Sequence, residues 1–258
     1  MSNTALITGA SSGIGREMAR IHAARGGDLI LVARREAELN ALKAELEAAH
    51  GIAAHVFATD LAVEGAAVAL YLTVKTAGLK VDTLINNAGF GGHGQHIERE
   101  LSAELGMNDV NIRALISLTH VVARDMVATG AGRILNVGST AGFLPGPNQA
   151  VYFASKAFVN SFSQALDEEL RGKGVTCTVL TPGYVETEFA KVADMEGTMM
   201  VKAGGKSARV TAQKGYDAMM AGKLVAFDRP MLGFFLRFVT PFVPRRMLLK
   251  VSGKSQSK

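Results

Sequence analysis

Tyr152 and Lys156 stand four residues apart in NQAVYFASKAF, residues 148–158, a stretch otherwise small and apolar. On a helix that spacing puts both side chains on one face, one turn apart, so the ammonium can lie beside the phenol. An unperturbed phenol keeps its proton to a pKa of about 10, and a nearby positive charge favours the ionised form, so such a pair can pass a proton. The same spacing describes a half-buried tyrosine beside a solvated lysine. The pair alone does not separate the two.

Further candidates lie at the ends of strand-like runs. In TGASSGIG, residues 8–15, Gly9, Gly13 and Gly15 permit a tight turn and close backbone approach, with Ser11, Ser12 and Ile14 between them. A pyrophosphate can rest on the helix amides there, at the positive end of the helix dipole. The spacing is G-x-x-x-G-x-G rather than G-x-G-x-x-G, and a glycine-rich turn without a ligand has the same composition. After the second apolar run come Ala33, Arg34 and Arg35, where many dinucleotide folds carry an acid for the adenosine ribose. Arg34 can pair with a phosphate instead, which favours NADP over NAD, although a basic helix start reads identically and Ser12 adds no second cation. Asp60, with Leu61 at the end of the third run, offers a carboxylate to an adenine amino group. Asn87, Ala88 and Gly89 of NNAG leave room for a flat ring or ribose.

These residues need a frame. TALIT, DLILVA, AAHVFA, DTLINN, RILNVGS and VTCTVL are strand-length apolar runs, each separated from the next by a helical pattern. Six such alternations give an α/β fold, a single parallel sheet with helices on both faces and right-handed crossovers. Residues 183–206 break the rhythm and are expected to form a mobile loop; a helix near residues 207–221 and a strand near 223–227 close the sheet.

Taken together and in order, TGxxxGxG, NNAG, Ser139 after the fifth strand, YxxxK, and Pro182 with Gly183 resemble the short-chain dehydrogenase/reductase family over essentially residues 3–228. The resemblance implies a doubly wound, Rossmann-type sheet that binds NADP(H) and interconverts a carbonyl and a secondary alcohol. It makes Tyr152 the general acid/base and places Lys156 by the phenol and the nicotinamide ribose. Ser139 is then expected on the substrate oxygen, Asn111 on a water linking Lys156 to solvent, and Thr187 at the nicotinamide carboxamide. It also implies a homodimer or homotetramer built on helices around residues 100–128 and 150–171. Phe143, Leu144, Tyr184 and Phe189 flank the expected site and call for a bulky apolar substrate, with Met195, Met199 and Met200 as adaptable lining or core filling. A non-catalytic NADP-binding sensor or scaffold is the competing class, but it has no use for Asn111, Ser139, Tyr152 and Lys156 together.

Composition narrows the remaining classes. The formal charge of +5 hides an uneven distribution: seven basic residues and no acidic one follow Asp228, which leaves residues 1–228 at −2. No basic stripe interleaved with aromatics crosses the body, so a nucleic-acid partner is not expected. Cys177 is the only cysteine, which excludes an internal disulfide and suits a reducing cytoplasm; MSNTALITGASSG leaves no room for a signal peptide. His93 and His96 lack an apparent third ligand, so no metal is expected. Residues 1–228 read as one cofactor-binding and catalytic domain. Residues 229–258 read as an apolar, basic tail packed on the domain, on a partner subunit or on a membrane surface. Arg237 and prolines 230, 241 and 244 interrupt that tail before a membrane span of about 20 residues can form. Phe234, Phe235 and Phe238 are expected either to cover the pocket or a neighbouring subunit, or to enter a lipid interface beside Arg245, Arg246 and Lys250.

Overall fold

The computed structural model describes residues 3–257. Thr4–Thr8 (β1) leads through the glycine turn into Gly13–Ala23 (α1), followed by Asp28–Ala33 (β2), Glu36–His50 (α2), Ala54–Ala58 (β3), Ala66–Thr76 (α3) and Thr83–Asn86 (β4). Leu101–Asn108 (α4) and Leu115–Thr129 (α5) are joined by a π-helical turn, Asp109–Ala114. Gly132–Val137 (β5), Ala150–Arg171 (α6) and Val175–Thr181 (β6) continue the alternation. The segment after β6 holds Val185–Glu186 (β7), Phe189–Val192 (α7), Met199–Lys202 (α8) and Lys206–Ser207 (β8). The chain then forms Ala208–Met220 (α9), Val225–Phe227 (β9), Pro230–Phe238 (α10) and Arg245–Ser255 (α11).

Seven parallel strands form the central sheet in the order β3-β2-β1-β4-β5-β6-β9. Its interior strands read as continuous apolar runs because both faces are covered. β2 illustrates this: Leu29 and Leu31 enter one core with Leu39, Leu42 and Met219, while Ile30 and Val32 enter the other with Leu70, Val74 and Leu118. Each such fully buried side chain contributes roughly 1.5–3 kcal/mol. The chain winds outward from β1 to β3 and then returns to β4 beside β1. A crevice opens where the winding reverses, outside the carboxyl ends of β1 and β4.

Three local expectations change. Asp60 and Leu61 lie in the turn beyond β3, which ends at Ala58. Asn111 sits in the π-helical turn rather than in a regular helix. Residues 183–206 contain two short strands that pair with each other and two four-residue helices, packed around the buried Ala190, Ala193 and Met195.

The tail folds back on the domain. Leu236 and Leu248 are buried, the His93 ring bonds the Gln256 carbonyl at 2.6 Å, and the Met199 amide donates to the Ser257 carbonyl at 3.2 Å. Phe234, Phe235 and Phe238 remain 50–58% exposed, so they do not cover the pocket. The reason is helical phase: Leu232 and Leu236, four apart, take the inward side of α10. No helix among the described residues is long and apolar enough to cross a membrane.

Candidate active site

The glycine turn is held against β4 by side chains. The Thr8 hydroxyl accepts the Asn87 and Ala88 amides, both at 3.0 Å, and Asn87 Nδ2 donates to the carbonyls of Thr8 at 3.0 Å and Gly9 at 3.2 Å. Gly9 and Gly13 adopt φ of +66° and +53°, a region costly for other residues. A Cβ on Gly9 would lie 2.7 Å from Asn87 Nδ2, and one on Gly13 would lie 3.1 Å from the Thr187 methyl. Gly9, Ser11, Ser12, Gly13 and Ile14 thereby form one wall of a cavity of about 720 Å³. Gly15 is one layer behind, where a Cβ would strike the Gly9 carbonyl.

Arg34, Asp60 and Leu61 line the same end of the cavity. So does Arg35, which the sequence did not single out. It donates to the Ser11 hydroxyl at 3.2 Å and meets the Glu188 carboxylate at 2.9 Å. That ion pair, ahead of the Ser12 hydroxyl and Arg16, holds the Glu188 carboxyl below its usual range.

At the other end Ser139, Tyr152 and Lys156 line the cavity together, with Ala88 and Gly89 beside them. Ser139 caps a 3₁₀ turn at Thr140–Phe143, its hydroxyl accepting the Ala141 amide at 3.0 Å. Asn160 holds it on both backbone sides, accepting the Ser139 amide at 3.4 Å and donating to its carbonyl at 2.9 Å. Tyr152, Lys156 and Asn160 thus form one i, i+4, i+8 face of α6, a spacing from which Asn160 was readable. Lys156 is 6% exposed; its Nζ donates to the Val137 carbonyl at 2.8 Å and lies 5.9 Å from the Tyr152 ring centroid. Asn111 stands behind the wall, donating to the Phe90 carbonyl at 3.0 Å and to the Ser155 hydroxyl at 3.1 Å and accepting the Phe90 amide. It also touches the same backbone as the lysine: a Cβ on Gly89 would lie 2.9 Å from Asn111 Oδ1 and 3.5 Å from Lys156 Nζ.

The titration picture departs from the expected one. Burial pushes the Tyr152 phenol up to about 12, opposed by the Ser139 hydroxyl, and pushes the Lys156 ammonium down to about 8. Desolvation penalises both charged forms and is the largest effect on each group.

Pro182, Gly183, Thr187, Leu144, Tyr184 and Phe189 all reach the cavity. The Phe189 ring packs on Tyr152 at 5.4 Å between centroids. Phe143 does not reach it; its ring turns onto Phe227, 5.5 Å away. Met195 and Met200 line the cavity whereas Met199 is 48% exposed at the surface. Phe90, Gln149, Phe153, Leu232, Leu236, Val251 and Gln256 also line it and were not singled out from the sequence. The tail residues carried no readable period, and no local pattern brings residues 230–256 to the end of β5. His93 bonds the tail, and His96 lies 3.3 Å from the Glu104 carboxylate, which also binds Arg99.

The family model described as short chain dehydrogenase matches residues 3–196. The chain belongs to the short-chain dehydrogenase/reductase family. It is 38% identical to a sulfoacetaldehyde reductase of Chromohalobacter salexigens, over 94% of this chain and 91% of that one. A short-chain dehydrogenase of Sphingobium yanoikuyae solved with NADPH superposes with a TM-score of 0.82 at 29% identity, over 95% of this chain and 99% of that one. A short-chain dehydrogenase/reductase of Burkholderia phymatum solved with NAD gives 0.82 at 26%, over 100% and 97%. The chain is therefore an oxidoreductase of a family that uses nicotinamide cofactors. Its residues fit such a group: the side-chain-free cradle at Gly9 and Gly13 and the open Ala88–Gly89 backbone lie on one cavity with Arg34 and Tyr152.

Proposed function

We propose that this short-chain dehydrogenase is an NADP(H)-dependent oxidoreductase that interconverts a carbonyl and a secondary alcohol on an uncharged, largely apolar substrate. The observation that carries the reading is the convergence of Ser139, Tyr152 and Lys156 on the cavity whose other end is the glycine turn and Arg34. Bound there, the nicotinamide would supply or accept a hydride at the substrate carbon. Gly9, Ser11, Ser12, Gly13 and Ile14 would hold the pyrophosphate, Arg34 and Arg35 the 2′-phosphate, and Asp60 and Leu61 the adenine. Asn87, Ala88, Gly89, Pro182, Gly183 and Thr187 would flank the nicotinamide half.

Reduction leaves an alkoxide that needs a proton. A phenol pushed up to about 12 is fully protonated at neutral pH and can give that proton from Tyr152, with the Ser139 hydroxyl orienting the substrate oxygen. The phenolate left behind is stabilised by Lys156, which keeps its charge below a pKa of about 8. Asn111 ties the Phe90 backbone to Ser155, on the turn of α6 between Tyr152 and Lys156.

The relative's name raises a second substrate class, a short sulfonated aldehyde. Among the cations of the described residues, only Arg34, Arg35 and Lys156 line the cavity, and the first two belong to the adenosine end. A sulfonate at the substrate end would compete for Lys156 alone, whereas Leu144, Phe153, Phe189, Met195 and Leu236 offer it apolar surface. Following NADPH oxidation over a panel from sulfoacetaldehyde and short keto acids to bulky ketones tests the reading. Turnover is expected to concentrate in the bulky neutral compounds; turnover confined to the charged ones would overturn the substrate class.

A further inference from the structure

Two amides are buried in the cavity wall with unmatched polar atoms. Gln149 is 3% exposed, and among the described residues neither its Nε2 nor its Oε1 has a hydrogen-bond partner. Gln256 is 1% exposed; among the described residues its Oε1 is likewise unpartnered, and its Nε2 has only the Met200 sulfur at 4.0 Å. An unmatched buried polar group is costly to the fold, so polar atoms left this way beside a cavity are suited to a ligand's own polar group.

The placement is built by the fold rather than by the side chains themselves. Gln149 flanks the first turn of α6 without capping it, three residues before Tyr152. The preceding Asn148 takes φ of +64°, a conformation asparagine tolerates better than most residues. Its carbonyl accepts the Gly94 amide at 2.9 Å, and the adjacent His93 ring bonds the Gln256 carbonyl at 2.6 Å. Pro147 closes the triangle, lying 3.4 Å from where a Cβ on Gly253 would sit. The loop after β4, the segment entering α6 and the end of the tail are thereby stitched together, and each glutamine is adjacent to or on a stitch point. Phe153, Met195, Met200 and Leu248 give the same cavity apolar surface, with Ser252 and Ser255 as polar neighbours in the tail.

Resting on the carbonyl-reducing reading above, we infer that Gln149 and Gln256 form a substrate subsite for a second, uncharged oxygen function. The substrate is then an apolar ketone or aldehyde bearing a hydroxyl or another carbonyl some distance from the reacting one. An amide both donates and accepts, so either group finds a partner. Among the described residues, the subsite offers a carboxylate or sulfonate no cation.

The test uses the full-length protein with NADPH, trans-1-decalone as the plain ketone, and decalones carrying one hydroxyl at successive positions on the far ring. The kcat/KM of at least one hydroxydecalone should exceed that of the parent by about tenfold, the scale of one neutral hydrogen bond gained with no unmatched group left behind. Gln149→Leu and Gln256→Leu should bring that ratio back towards one. Thermal unfolding supplies a readout that a structural amide would move the other way: each leucine variant should melt at or above the wild-type temperature, because it removes an unpartnered buried amide. No gain from any hydroxyl position, a gain that survives both substitutions, or leucine variants that lose several degrees would each overturn the subsite. Reduction of the parent ketone without the gain strikes the subsite alone. Failure of every carbonyl compound, those of the preceding panel included, would remove the carbonyl-reducing reading and the subsite with it.

Discussion

The Arg35 guanidinium holds the Glu188 carboxylate at 2.9 and 3.4 Å while also donating to the Ser11 hydroxyl, so a carboxylate occupies the cationic corner of the glycine turn. Glu188 immediately precedes α7, and the next residue, Phe189, packs on Tyr152. The segment that packs on Tyr152 is therefore fastened at the glycine turn.

A 2′-phosphate arriving at Arg35 must displace or share with that carboxylate. Glu188→Gln is expected to tighten NADPH roughly two- to fivefold, as an exposed ion pair is worth at most about 1 kcal/mol, and to leave NADH unchanged. Fluorescence titration of each cofactor checks it; equal changes for both would contradict the competition.

Arg34 gives the opposite sign. With its guanidinium exposed at the cavity, Arg34→Ala should weaken NADPH by about 1.5–3 kcal/mol, the range of a charge-assisted bond, with little effect on NADH. Comparable losses for the two cofactors would place the phosphate elsewhere.

The pH dependence follows from two buried groups. The phenol stays protonated up to about 12, so over the working range the titrating group is Lys156, charged below about 8 and neutral above it. NADPH-dependent reduction should be level at lower pH and fall by about tenfold per unit above the lysine pKa, since the ammonium that stabilises the phenolate is lost. Stopped-flow rates across that range measure it. A rate that climbs through the same interval would mean that the lysine acts uncharged.

Deleting residues 230–258 tests the tail. It removes Leu232, Leu236, Leu248, Val251 and Gln256 from the cavity wall, so turnover of bulky ketones should be lost while NADPH still binds at the glycine turn. Unchanged turnover would show that the tail does not enclose substrate. Sedimentation of the full-length protein with anionic vesicles separately tests a lipid contact through the exposed Phe234, Phe235, Phe238 and Phe242; that contact requires salt-sensitive binding, and its absence at low salt excludes it.

Much of the sheet and the meeting of Ser139, Tyr152 and Lys156 on one cavity were legible in the sequence, because strand-length apolar runs and fixed spacings such as Tyr152–Lys156 are local properties. What was not legible depended on packing between distant segments. Phe143 and Leu144 are adjacent and both apolar, yet one turns to Phe227 and the other to the cavity. Arg34 and Arg35 are indistinguishable as types, and the Ser11 and Glu188 bonds that mark out Arg35 come from distant segments. Gln149 and Gln256 meet one cavity through contacts spanning the loop after β4, α6 and the tail, and no sequence pattern records that closure.

The most direct test of the catalytic reading is Tyr152→Phe, which removes the phenolic proton and keeps the ring against Phe189. Single-turnover NADPH oxidation on a ketone that the wild type reduces should fall by about 10²–10⁴, the usual contribution of a positioned acid, while the NADPH dissociation constant stays within about twofold. Near wild-type turnover by this variant, with cofactor binding intact, would contradict the assignment of Tyr152 as the proton donor.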